Sequence, residues 1–324
     1  MADKKIKILN AMGDDFAKSA QNTLETLGDV HHEKVTQDKF LEIVDQYDIV
    51  VVGIQPVVNK EVIDVAKNLK KIVVPANTLE NIDVEYAEKK RIEVVSLWGE
   101  DEFLKTITGT AELACGLMIA LVRHIPGAFD DVKNYKWNRE KFRGHNLYGK
   151  TLGIVGMGRL GTWMAEYGKA FGMNVVFYSP YTEKSEVVGA KKVSFDELLK
   201  KSDVISLHAH LNKETDNMFD KDAFSKMKDG AYLVNTARGR IVEEKVLIDV
   251  LESKTLAGYA TDVLADEFEI GVQLKDYPLV EYAKTHSNVI IVPHIGGVTH
   301  ESRENTDIFI VKKLQKIINI KQNV

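Results

Sequence analysis

Residues 151–179 read TLGIVGMGRLGTWMAEYGKAFGMNVVFYS. TLGIV is a short β-branched run of the kind that forms a buried strand. Gly156-Met157-Gly158-Arg159-Leu160-Gly161 follows it and matches G-x-G-x-x-G. Leu160, Trp163, Met164, Tyr167 and Phe171 then recur at helical spacing, Gly172 fits a helix stop, and NVVFYS reads as the next strand. In a strand–loop–helix–strand unit these glycines have separate tasks. Gly156 permits the tight turn, Gly158 lets the backbone approach a pyrophosphate, and Gly161 lets the helix pack close to the strand. The helix N-terminus offers N–H groups and partial positive charge to phosphate. A turn needing glycine for geometry alone is the alternative, and the surrounding strands and helix speak against it. The unit predicts a nicotinamide dinucleotide site. The adenine ribose position is normally an acidic residue ending the second strand, about 20 residues on. Here it is Ser179, with Lys184 near, which leaves NAD and NADP both open.

Working outward, the segments KKVS, DVISLHA, AYLVNTA, AGYATDV and NVIIVPH continue a strand–helix alternation. Upstream, IKILNAM, DIVVVGI, KKIVVPA and IEVVSLW read as strands between helical patterns. Such alternation implies parallel strands joined by right-handed crossovers. The chain has 324 residues, enough for two domains. The expectation is an α/β protein with two doubly wound parallel-sheet domains. Residues 106–295 form the Rossmann nucleotide-binding domain, and 1–105 with 296–324 form the other. The last helix, reading Asn305 to Ile320, crosses back to the first domain. An almost wholly apolar helix, Thr110 to Arg123, is expected to be buried.

Charged residues make up 28% and the net charge is −5, which gives no basic excess for a nucleic-acid or anionic-membrane partner. The longest apolar run, Leu113 to Val122, is shorter than the roughly 20 residues that span a bilayer, and the first residues lack a signal-peptide core. Cys115 is alone, so no intrachain disulfide forms, and it reads as a buried thiol in the apolar helix. These features give a cytoplasmic expectation.

Three residues stand at or just past strand ends, where open parallel sheets bind ligands. They are Arg238 in NTARGR, Glu267 after TDVLAD, and His294 in PHIGG. Singly each is ordinary: a surface charge, an acidic-loop residue, a turn residue. Together they make a reaction set. Arginine holds a carboxylate through a planar fork, histidine moves a proton near neutral pH, and a carboxylate orients the ring and stabilises the imidazolium. With a nicotinamide to exchange hydride, that is what interconverting a 2-hydroxy acid and a 2-oxo acid requires.

Over nearly its whole length the chain resembles the D-isomer-specific 2-hydroxyacid dehydrogenases, the family of D-lactate, D-glycerate, hydroxypyruvate and D-3-phosphoglycerate dehydrogenases. The resemblance rests on TGTAELACGLMIALVRHIP, GKTLGIVGMGRLG, SDVISLHAHLNKET, LVNTARGRIVEEKVL, AGYATDV with Glu267, and NVIIVPHIGG. It implies that Arg238 binds the substrate carboxylate and polarises the carbonyl, and that Glu267 partners the acid/base His294. It implies cofactor contacts at Gly156, Gly158, Arg159, Leu160, Gly161, Ser179, His208, Thr236, Ala237 and Asp262, the last facing the nicotinamide carboxamide. A flavodoxin-like catalytic domain from both chain ends, a hinged cleft and a homodimer are implied as well. Asn77, Thr78 and Leu79 match the loop whose amides hold the substrate carboxylate, though a plain turn would read the same. Two positions depart from the family pattern: Phe268 stands where proline is usual, and Ser179 where an acid is usual.

Other features carry less. His208 and His210 share one strand face, but no third metal ligand is evident, and the expectation is no metal. Trp98 suits either a substrate pocket or hinge packing. The basic stretch Lys133 to Arg143, with Tyr135, Trp137 and Phe142, suits a dimer contact better than nucleic acid. The alternative function is an NAD(H)-sensing regulator, since the C-terminal-binding-protein corepressors resemble the family and keep the same three residues. The formate dehydrogenase branch has glutamine where Glu267 stands. The expected partner is a small 2-oxo or 2-hydroxy acid whose identity the sequence leaves open. An arginine commonly follows the second N-terminal strand in phosphoglycerate dehydrogenases, whereas VVVGIQPVVNKEVI has Gln55 and no arginine. Unphosphorylated acids are therefore expected.

Overall fold

The computed structural model describes residues 5–265, 267 and 274–322. The chain divides into two compact units, Met1–Thr106 with Thr299–Val324, and Ile107–Val298. The second break falls three residues later than the sequence places it. The reason is local: the Gly296 N–H donates to Asp262 and the Val298 N–H to the Ile295 carbonyl, so this turn stays with the second unit.

The first unit is built on strands β1 (Lys7–Asn10), β2 (Asp29–His32), β3 (Ile49–Val51), β4 (Lys71–Val73) and β5 (Glu93–Val95), in the order β2-β1-β3-β4-β5. All pairs are parallel, as a doubly wound sheet requires. Alternation divides the apolar residues between two faces. Leu9, Val50 and Ile72 join one core; Ile8, Ile49, Val51 and Val73 join the other. The helix His300–Gln322 completes the second core with Ile310, Val311, Leu314 and Ile318, beside Phe16, Ala20 and Leu24. Strand β2 is absent from the sequence reading. It is an edge strand of alternating half-exposed residues, DVHH, with no β-branched run to mark it.

Asp307 on that last helix is fully buried. One carboxylate oxygen accepts the Ala17 N–H at 2.8 Å, beside the helix Lys18–Glu25, and the other has no hydrogen-bond partner among the described residues. Burial pushes its pKa up to about 6, partly offset by the Ala17 N–H and Arg303. The folded chain therefore holds this proton more tightly than the unfolded chain does. The resulting stability is fully present below about pH 4 and is lost as pH rises through about 6. Asp307→Asn keeps an acceptor for Ala17 and carries no charge. We expect it to raise stability at pH 8, by on the order of 2 kcal/mol, with the gain vanishing near pH 4. Thermal unfolding of both proteins across this range is the check; a gain independent of pH would refute the assignment.

The second unit contains β6 (Thr151–Val155), β7 (Asn174–Tyr178), β8 (Lys191–Lys192), β9 (Val204–Leu207), β10 (Ala231–Asn235), β11 (Leu256–Thr261) and β12 (Val289–Ile291). They form one parallel sheet, β12-β11-β10-β9-β6-β7-β8, whose order reverses between β6 and β9. The segment Asp101–Val122 as a whole has the length and apolarity of a bilayer span, longer than the run visible in the sequence. The structure breaks it into Asp101–Leu104 in the first unit and Gly109–Val122 in the second. Ala114, Leu117, Met118, Leu121 and Val122 of the latter are buried against Leu152, Ile154, Met164 and Ala260, so it serves as a core helix.

Candidate active site at the carboxyl edge of the second sheet

Parallel strands deliver their following loops to one edge of the sheet. Gly156 follows β6, Ser179 β7, His208 β9, Thr236 to Arg238 β10, Asp262 and Glu267 β11, and His294 β12. The expected residues of this unit thus lie along one carboxyl edge, on both sides of the switch point between β6 and β9. A hollow of about 790 Å³ lined by Leu256, His286 and Asn288 lies at the amino ends of β11 and β12, the opposite edge, and takes no part in this arrangement.

The glycine loop has the geometry its sequence predicts. Gly156 has φ +93°, and a β-carbon there would lie 2.7 Å from the Ala209 nitrogen. A β-carbon at Gly161 would lie 2.1 Å from the Gly156 carbonyl oxygen. Gly158 caps the helix Arg159–Ala170 without a side-chain bond to its first N–H groups, and a β-carbon there would meet nothing within 4 Å. Backbone donors and open space at Gly158 suit a pyrophosphate. Leu160 lies in the first turn of this helix. The Arg159 guanidinium donates to the Ile107 carbonyl, a structural contact within the unit. Ser179 is buried just past β7, and the Thr182 hydroxyl donates to the Met157 carbonyl at 3.1 Å.

Three of the five buried side-chain atoms without a partner among the described residues lie on this edge: His208 Nδ1, Thr236 Oγ1 and Glu267 Oε1. Buried polar atoms are normally paired, and these suit a polar ligand. Burial pushes the His208 pKa down to about 4, so the ring is neutral at physiological pH; its Nε2 meets Ser206 Oγ at 2.8 Å. Ala237, buried beside Thr236, continues the same loop.

His294 Nδ1 lies 3.0 Å from Glu267 Oε2. A carboxylate can only accept, so Nδ1 carries the hydrogen, and in the neutral ring Nε2 carries the lone pair. The turn around His294 is held by Asp262. The His294 N–H donates to the Asp262 carbonyl at 2.9 Å, and the Ile295 and Gly296 N–H groups donate to the two carboxylate oxygens at 2.6 and 2.8 Å. Burial raises the Asp262 pKa, while these N–H donors and His294 pull it back. The nearest described role of Asp262 is therefore to shape the His294 turn, in which His294 itself has φ +52°. Phe268 lies outside the described residues.

Arg238 is held by Asn235, which the sequence reading did not single out. Asn235 is fully buried at the end of β10; its amide donates to the Arg238 carbonyl at 2.9 Å and its oxygen accepts the Ala237 N–H at 3.0 Å. The Arg238 side chain donates to the Ala237 carbonyl at 2.6 Å. An NTxR turn after a strand is a legible sign for such a clamp, since asparagine readily bonds the backbone two residues on. Asn77, Thr78 and Leu79 belong to the first unit. They form an irregular, half-buried loop after β4, within which the Ile82 N–H donates to the Leu79 carbonyl. Among the described residues no group of His, Cys, Asp and Glu has the arrangement of a metal site.

Residues 115–296 match the model for the D-isomer specific 2-hydroxyacid dehydrogenase, NAD binding domain, and the chain belongs to this family. It is 39% identical over 282 residues to the D-3-phosphoglycerate dehydrogenase of Archaeoglobus fulgidus, a match covering 86% of this chain and 51% of that protein. It is 34% identical over 295 residues to the hydroxypyruvate reductase of Thermotoga maritima, covering 90% and 92%. The chain thus spans about half the length of the phosphoglycerate dehydrogenase and nearly all of the reductase. Its structure is similar to that of D-lactate dehydrogenase from Aquifex aeolicus complexed with NAD and lactic acid. There the TM-score is 0.83 and the identity 28%, with 98% of this chain and 96% of that chain covered.

Proposed function

We propose that the chain is an NAD(P)-dependent oxidoreductase interconverting a small 2-oxo acid and its D-2-hydroxy acid. The observation that carries this is the 3.0 Å contact between His294 Nδ1 and Glu267, on the same sheet edge as the glycine loop. A bound nicotinamide dinucleotide supplies or takes up the hydride. In reduction His294 gives a proton from Nε2 to the carbonyl oxygen, and in oxidation it takes one from the hydroxyl. Glu267 keeps the ring in that tautomer and stabilises the imidazolium. Arg238 holds the substrate carboxylate with its fork and draws charge from the carbonyl. The glycine loop takes the pyrophosphate, with Ser179 near the adenine ribose, His208 and Thr236 to Ala237 along the cofactor, and Asn77 to Leu79 offering backbone amides to the carboxylate. A second copy of the chain would dock on the stretch Lys133 to Arg143, where Tyr135 and Trp137 are exposed.

For the substrate, relatives named for phosphorylated and for unphosphorylated acids leave two classes. The loop after β3, VGIQPVVN, has no cation, and Lys60 beyond it sits 5.4 Å over the Tyr86 ring. A phosphate dianion there would lack charge-assisted bonds worth roughly 1.5–3 kcal/mol each. We therefore expect glyoxylate, hydroxypyruvate or pyruvate to be reduced with higher kcat/KM than 3-phosphohydroxypyruvate. Assaying these four acids with NADH and with NADPH tests both proposals. No turnover of any would refute the reaction; preference for the phosphorylated acid would refute the substrate class alone.

A further inference from the structure

Glu244 stands in the first turn of the helix Glu244–Glu252, just past the turn that carries Arg238. Its Oε1 accepts the Ala265 N–H at 3.0 Å, and its Oε2 accepts the Tyr277 hydroxyl at 2.6 Å. Ala265 precedes and Tyr277 follows the segment that includes Glu267. A single carboxylate thus holds the chain at Ala265, just before Glu267, the acid facing His294, and again at Tyr277. The adjoining backbone is fitted closely as well: a β-carbon at Gly239 would lie 2.1 Å from the Leu264 carbonyl carbon, so Leu264 rests directly on the residue after Arg238. The residues from Arg238 to Glu244 form one base that carries the arginine and registers Leu264 and Ala265, just before Glu267, against it. Negative charge is favoured at this position by the helix N-terminus, and bonds to an ionised acceptor are the stronger kind.

We propose that Glu244 is a positioning residue for the reaction, setting the Glu267–His294 contact by pinning Ala265 and Tyr277. The proposal rests on the catalytic roles given above to Glu267 and His294. Glu244→Gln keeps the shape and an acceptor for Ala265, but it replaces the carboxylate oxygen that receives the Tyr277 hydroxyl. Tyr277→Phe removes the same bond from the other side without touching the helix.

The test is a double-mutant cycle with Glu267→Gln, read as kcat and KM for glyoxylate and hydroxypyruvate, with NADH affinity followed by fluorescence. Acting through Glu267, Glu244→Gln should lower kcat by about tenfold or more with KM and NADH affinity nearly unchanged. In the Glu267→Gln background it should have less than about a twofold further effect. Tyr277→Phe should show a smaller version of the same pattern, and serves alone if Glu244→Gln does not fold. Equal losses in both backgrounds, or no loss in either, would overturn the clamp. Full activity in Glu267→Gln itself would overturn the functional reading, and the clamp with it.

Discussion

His294→Gln should reduce turnover by about 10²–10⁴-fold, the usual contribution of a general acid–base group, while NADH binds within a few-fold of the parent. Glutamine can hydrogen-bond to Glu267 but cannot deliver and recover a proton in the working pH range. The backbone supplies a control. His294 lies in the left-handed region at φ +52°, where asparagine is more at ease than most residues. His294→Asn should therefore preserve the turn held by Asp262 and still lose turnover. Stopped-flow or steady-state rates, set beside NADH fluorescence titration, separate chemistry from binding. Turnover within a few-fold of the parent in both variants would remove His294 from the proton path.

Arg238→Lys should fail despite keeping its charge. The turn that presents residue 238 is fixed through its backbone carbonyl by Asn235, so the substitution leaves the fold of this loop in place. What changes is the head group. A single ammonium cannot make the two parallel contacts of a guanidinium with a carboxylate. Losing one charge-assisted bond of roughly 1.5–3 kcal/mol corresponds to about 10–10²-fold. Because the same group draws charge from the reacting carbonyl, KM should rise and kcat should fall together, lowering kcat/KM by about 10²–10³-fold. Unchanged kinetics in the lysine variant would mean that the carboxylate is held elsewhere.

Much of this site was legible because parallel sheets turn sequence order into spatial order. Once TLGIV, DVISL, AYLVN, AGYAT and NVIIV are read as strands of one sheet, the residues after them must share an edge. That is why Arg238, Glu267 and His294, scattered over the sequence, emerged together. The sequence is silent where the outcome depends on which partner a polar side chain finds. Glu244 acts through one hydrogen bond to the Ala265 backbone and one to the Tyr277 hydroxyl, which no period or spacing announces. Asp262 shows the same limit: its place beside the site follows from the strand order, but the capture of the Ile295 and Gly296 amides by its carboxylate does not. Strand β2 escaped for another reason. At an edge, pairing is satisfied on one side only and burial is partial, so DVHH carries little apolar signal.

The helix His300–Gln322 covers one face of a sheet whose strands all precede residue 96. On the ribosome, Ile8, Phe16, Leu24 and Val51 emerge long before Ile310, Val311 and Leu314, which pack beside them in the finished core. At about 5–20 residues per second, that face waits on the order of 10–40 s. The Ile107–Val298 unit is continuous in sequence and has emerged whole before that helix is made. The nascent amino-terminal sheet is then the exposed, aggregation-prone partner, and a chaperone acting on this chain during synthesis would find its client surface there.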